Sequence, residues 1–190
     1  MKNLCAFAVK KNTTPQNRTM NQILETSRCY LRQLTIDDAT HFYELNSDPE
    51  VIKYTGDKAF DSIKSAQQFL QNYNPYQEYG YGRWAVIDKK TNEFLGWCGL
   101  KYSTELNEID LGFRFFKKYW NQGYATETAK ACIEYGFNQL NLTKIVGRAM
   151  EANLASVKVL EKIGMTFVKK CEFELHDGVL YQITIDNSEI

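Results

Sequence analysis

Trp120-Asn121-Gln122-Gly123-Tyr124-Ala125-Thr126-Glu127 lies between a stretch that alternates like a strand and one with helical periodicity. A glycine followed two residues later by alanine at a helix start lets backbone come close to a ligand. The free N–H groups of that first turn, together with the helix dipole, favour a phosphate. Thr126 adds a hydroxyl. The same octapeptide also fits a plain tight turn at Gly123 with Thr126 as a helix cap. Its surroundings decide between the two readings.

Upstream, residues 108–116 (EIDLGFRFF) place Ile109, Leu111, Phe113 and Phe115 on one face by the strand period of two. Asp110 then points to the opposite face. Downstream, an amphipathic helix is predicted over residues 123–139, a strand over 143–149, and a helix capped by Asn153 that runs to Ile163 and stops at Gly164. A last hairpin is predicted from 165–172 and 179–186, turning at His176-Asp177-Gly178. Toward the N-terminus, residues 83–87 and 93–101 read as strands joined at Asp88–Asn92. Residues 62–73 read as a helix with Ile63, Ala66, Phe69 and Leu70 on its apolar face. Thr35 with Asp37 and Asp38 signals another helix start, after a strand from Arg28. Residues 1–25 are polar and turn-rich, and are expected to form a flexible arm. Residues 26–190 then make one domain: a single mixed, mostly antiparallel sheet flanked by helices, in the α/β (α+β) class.

The 190 residues suffice for one domain with a real core. Lys plus Arg and Asp plus Glu are both 23, so no polybasic nucleic-acid face is expected. Five cysteines, at 5, 29, 98, 132 and 171, form no C-x-x-C pair. Only two histidines, His41 and His176, occur. Neither a metal centre nor a disulfide framework is expected. No apolar run is long enough for a membrane span, and Met1–Val9 lacks the long apolar region of a signal peptide. Reducing cytoplasm is the expected compartment.

Six pieces of the chain occur in a telling order. They are R-x-Y-L-R-x-L-T-x-D-D-A from Arg28, S-D-P-E-V at 47–51, W-A-V-I-D-x-x-x-x-E-F-L-G at 84–96, D-L-G-F-R at 110–114, Y-W-N-Q-G-Y-A-T-E at 119–127 and N-x-x-S-x-x-V-L-E-K-I-G at 153–164. In that order they resemble the GNAT acyltransferases, most closely the RimJ/RimL-like branch. The resemblance implies the GNAT fold and acetyl-CoA as cosubstrate, with no metal. It places Phe113, Phe115, Trp120, Asn121, Gln122, Gly123, Tyr124, Ala125 and Thr126 at the donor, with Asn153 and Ser156 beside its pantetheine arm. Asn121 replaces the commoner glycine of that loop, and asparagine tolerates left-handed backbone.

An N-acetyltransferase needs a neutral amine, so a base is required, more for a lysine of pKa about 10.4 than for an α-amine near 8. Asp110 and Glu174 are the candidate bases: related enzymes often carry a Glu on the central strand, or one just before the last hairpin turn. Each is also readable as a solvated surface carboxylate, Asp110 less so than Glu174. Many relatives place a Tyr acid where this chain has Leu160, which cannot donate. Ser156, one turn earlier, is the candidate replacement, or simply a first-turn serine. Strand backbone after Phe113 offers an N–H for the acyl oxygen. The three tryptophans, Trp84, Trp97 and Trp120, read as core before ligand contacts. Tyr73, Tyr76, Tyr79 and Tyr81 read as an aromatic lid or an acceptor-cleft wall. The expected acceptor is a primary amine, peptide N-terminus or small molecule, attacked directly in a ternary complex by a monomer or homodimer. The competing reading is an acetyl-CoA-binding sensor without turnover.

Overall fold

The computed structural model describes residues 22–185. Eight strands form one sheet: β1 (Gln22–Glu25), β2 (Cys29–Gln33), β3 (Arg83–Asp88), β4 (Phe94–Ser103), β5 (Glu108–Phe115), β6 (Lys144–Met150), β7 (Thr166–Phe173) and β8 (His176–Thr184). Their spatial order is β1-β2-β3-β4-β5-β6-β8-β7. Every neighbouring pair is antiparallel except β5 and β6, which run parallel and pair at one position, Asp110 with Val146. The helices are α1 (Ala39–Ser47), α2 (Pro49–Ile52), α3 (Ile63–Gln71), α4 (Pro75–Tyr79), α5 (Tyr124–Leu140) and α6 (Leu154–Lys162).

The centre of the sheet is buried on both faces, and β3 shows why its sequence is a continuous apolar run rather than an alternation. Trp84 and Val86 enter the core beneath α5 and α6, with Leu100, Leu111, Cys132 and Ile145. Ala85 and Ile87 enter the other core, beneath α1 and α3, with Phe42, Leu45 and Leu70. Leu45, Leu100 and Ile145 are fully buried, and each such side chain contributes about 1.5–3 kcal/mol. In β5 the apolar face is as the alternation requires: Leu111 and Phe115 are buried, with Ile109 and Phe113 packed against the same core.

Several expectations need correction. Of the arm expected over residues 1–25, Gln22–Glu25 pairs with β2 as an edge strand; residues 1–21 lie outside the described residues. The last hairpin turns at Glu174-Leu175, with φ of 49° and 63°, and not at His176-Asp177-Gly178. Two consecutive left-handed residues match the right-handed twist of the flanking strands, so β8 already begins at His176. On α3, Ala66 and Leu70 are buried, but Ile63 and Phe69 are 40% and 45% exposed. The apolar face of α3 is therefore narrower than its periodicity implies.

Candidate active site

Because β5 and β6 pair only at Asp110–Val146, the strands part beyond that point. Phe116 N–H bonds Leu95 O on β4. By the alternation of the strand, the N–H groups of Phe113 and Phe115 face away from β4, toward the gap. A cleft of about 850 Å³ opens there. One wall carries Asp110, Gly112 and Phe113 of β5. The other carries Arg148 and Ala149 of β6 with Asn153, Ser156 and Leu160 of α6 and its cap. Glu174 stands at the rim. Three candidate catalytic residues from distant parts of the chain thus share one cavity.

Their environments differ. The Asp110 carboxylate accepts a hydrogen bond from Arg83 Nη2 at 2.5 Å; the two side chains are 23% and 14% exposed. Arg83 Nη1 also donates to Gly99 O and Asp110 O. The guanidinium lies over Gly112, where a Cβ would come within 2.6 Å of Arg83 Cζ. Tyr73 Oη accepts from the Arg83 main-chain N–H and Tyr76 Oη donates to Arg83 O; burial pushes both phenols above their ordinary pKa. Glu174 is exposed and makes no hydrogen bond or ion pair among the described residues. Its side chain lies against Gly56, where a Cβ would fall 2.3 Å from Glu174 Cβ.

Asn153 caps α6, its Oδ1 accepting from Ser156 N–H at 3.2 Å. Among the described residues, Asn153 Nδ2 and Ser156 Oγ have no other partner, and both stand on the cleft wall. Leu160, 2% exposed, is core as well as cleft wall, and it fills the space above Gly147.

The Trp120–Glu127 turn sits at the end of β5 and does not line the cleft. Trp120 Nε1 donates to Phe115 O, so Trp120 caps the strand. Asn121 takes φ 59° and Gly123 φ 81°. Gly123 is the N-cap of α5, so Thr126 is not the cap. Glu127 N–H bonds Gly123 O, which leaves the amides of Tyr124, Ala125 and Thr126 without helical acceptors. These three N–H groups and the dipole make an anion cradle suited to a pyrophosphate. Phe115 is 5% exposed and belongs to the core; only its main chain can meet a ligand, whereas Phe113 reaches the cleft itself.

Residues 28–166 match the family model described as Acetyltransferase (GNAT) domain. The chain belongs to the GNAT acetyltransferase family. It is 38% identical over 153 residues to the uncharacterized protein YkkB of Bacillus subtilis, covering 77% of this chain and 86% of that one. The uncharacterized N-acetyltransferase YoaA of the same organism is 32% identical over 170 residues, covering 88% and 91%. Among solved structures, a GNAT-family acetyltransferase from Bacillus anthracis superposes with a TM-score of 0.72 at 27% identity, covering 87% of this chain and 98% of that one. This GNAT protein is an acetyltransferase, and the anion cradle and split strands fit the acetyl-CoA that the family uses.

Sequence reasoning missed Arg83 and Arg114, and it read Trp97 as core before ligand contact. Trp97 lines the cleft between the two guanidinium groups, whose Cζ atoms lie 5.5 and 5.2 Å from its ring centroid. The alternation that singles out Asp110 also puts Gly112 and Arg114 on its face, so Arg114 was recoverable. The pairing of Arg83 with Asp110 was not, because it spans β4.

Proposed function

We propose that this chain moves the acetyl group of acetyl-CoA to a primary amine held in the β5–β6 cleft, by direct transfer in a ternary complex. The observation that carries the reading is the convergence of Asn153, Ser156, Glu174 and the Phe113 backbone on that one cavity, beside an anion-binding helix start. Acetyl-CoA supplies a thioester carbonyl for the amine to attack.

The amides of Tyr124, Ala125 and Thr126, with Asn121, Gln122 and Gly123 shaping their turn, hold the pyrophosphate. Asn153 Nδ2 orients the pantetheine arm. The Phe113 N–H faces the acyl oxygen where negative charge grows. Glu174, whose carboxylate no cation claims among the described residues, takes the amine proton. Asp110 is the poorer candidate for the base, since its carboxylate is already taken up by Arg83; it positions Arg83 and the cleft floor. Ser156 Oγ donates a hydrogen bond to the departing thiolate, which then takes its proton from solvent; the thiol ionises near pH 8.5 by analogy with cysteine, so a weak donor suffices. The motif order supports the RimJ/RimL-like branch, and the odd cysteine count supports reducing cytoplasm.

Release of CoA is the test, measured with α-amines, lysine-like amines and short peptides. Double-reciprocal lines at fixed amine levels should intersect. Parallel lines with a trapped acetyl-cysteine would overturn direct transfer. The buried Leu160 at the usual acid position favours one rival, a donor-binding sensor; tight acetyl-CoA binding without turnover on the whole panel would establish it.

A further inference from the structure

Arg114 lines the same cleft, its side chain 9% exposed. Two groups hold it. One is Asn46, 4% exposed, whose Nδ2 donates to Phe42 O at 2.6 Å; this turns Oδ1 toward Arg114 Nη1. Arg114 is thus oriented by a buried neutral amide that cannot leave without losing its own bond. The other is Asp57, whose carboxylate accepts from Nη2 at 2.5 Å while 57% exposed. Asp57 belongs to the irregular segment between α2 and α3. The only carboxylate on this buried guanidinium, among the described residues, is therefore largely in water.

A guanidinium removed from water needs a carboxylate partner, and its planar fork suits one bidentately. Nothing in the packing requires that partner to belong to the chain. We propose that Arg114 is the binding group for a carboxylate on the acceptor, and that Asp57 occupies its place until an acceptor displaces it. The acceptor class is then a small amino carboxylate, of the amino-acid type, rather than a polyamine. This rests on the acetyltransferase reading above and deepens it.

Two features sharpen the class. Gly56 abuts Glu174, and the next residue holds Arg114, so the proton acceptor and the guanidinium are bridged by adjacent residues. In the same cleft, Phe69 is 45% exposed and stacks on Phe42 at 5.4 Å, with Tyr73 at 5.9 Å. That wall takes an apolar or aromatic side chain. A linear diamine carries no carboxylate to answer Arg114 in place of Asp57.

The experiment compares phenylalanine, phenylalaninamide, phenethylamine and a linear diamine by CoA release. Phenylalanine should show kcat/KM at least tenfold above the other three, about 1.4 kcal/mol. The amide has the less basic amine, so preference for the acid runs against ease of deprotonation. Arg114→Gln should collapse the acid-to-amide ratio to within a few-fold of one. Asp57→Ala, at an exposed position, should raise that ratio several-fold, and it serves where Arg114→Gln does not fold. Equal or better turnover of the amide or diamine by the wild-type protein would overturn the inference and leave the acetyltransferase reading standing. If no amine is turned over, that reading fails instead. Calorimetry with N-acetylphenylalanine and its amide then decides: tighter binding of the acid sustains the Arg114 site, and equal or weaker binding rejects it.

Discussion

Glu127, in the first turn of α5, accepts hydrogen bonds from the main-chain N–H and the Nε of Arg28, at 2.9 and 2.6 Å, across 99 residues of sequence. Arg28 Nη1 donates in turn to Gln122 O at 2.9 Å, and the guanidinium stacks 4.1 Å from the Tyr124 ring centroid. The first residues before β2 therefore brace the turn that presents the cradle amides.

This brace is pH-sensitive. Burial alone would raise the Glu127 pKa, but hydrogen bonds from Thr26, Ser27 and Arg28 outweigh it and hold the carboxylate down, from 4.5 to about 2. A depressed folded-state pKa gives stability that is fully present above the unfolded value and is lost as pH falls through the folded one. Glu127→Gln should therefore lower stability at neutral pH by on the order of 2 kcal/mol. The gap between the melting curves of wild type and variant should close between about pH 5 and pH 2. A gap that persists at pH 2 would count against the linkage.

Gly123 sits at φ 81°, and a Cβ there would meet only Arg28 Nη2, at 3.5 Å. Substitution thus strains the backbone without a clash inside the protein. Gly123→Val should fold, at a cost of about 1–2 kcal/mol. Its affinity for acetyl-CoA should fall tenfold or more, about 1.4 kcal/mol, because the side chain intrudes where the pyrophosphate approaches. Calorimetry on the folded variant checks this, and unchanged affinity would remove the turn from the donor site.

Asp110 and Glu174 separate by different readouts. Asp110→Asn breaks a mostly buried pair with Arg83 and should cost about 2 kcal/mol of stability. Glu174→Gln loses no partner among the described residues and should leave the melting temperature within a degree or two. Its defect should be in kcat, roughly 10²-fold, shrinking as pH rises and the amine deprotonates by itself. An α-amine acceptor should show less loss than a lysine-like one, whose pKa is about two units higher. A flat pH dependence of the Glu174→Gln defect would mean positioning alone.

Ser156→Ala should behave oppositely, its kcat defect persisting or growing at high pH, since the thiolate still lacks a donor. Leu160→Tyr should not supply the missing acid. Leu160 already fills the space over Gly147, with Cδ2 2.7 Å from where a Cβ would stand. A larger ring there should destabilise by about 1–3 kcal/mol. Thermal melts and pH–rate profiles of both variants check the pair; a stable, faster Leu160→Tyr protein would contradict it.

Short-range periodicity and local backbone chemistry are legible in the residues alone. The faces of β5, the Asn153 cap, the left-handed Asn121 and the strand–turn–helix around Gly123 are properties of a few adjacent residues, so alternation and turn preference reveal them. The last hairpin escapes such reading because Glu174 and Leu175 are not habitual left-handed residues; the register of β7 with β8 imposes that conformation. Which carboxylate is free depends on the folded chain. Arg83 reaches Asp110 across β4, Asp57 reaches Arg114 from the segment between α2 and α3, and Glu174 is left unclaimed among the described residues, its hairpin projecting over Gly56. Ion pairs between residues distant in sequence depend on strand order and on the parting of β5 from β6, and no local pattern encodes either.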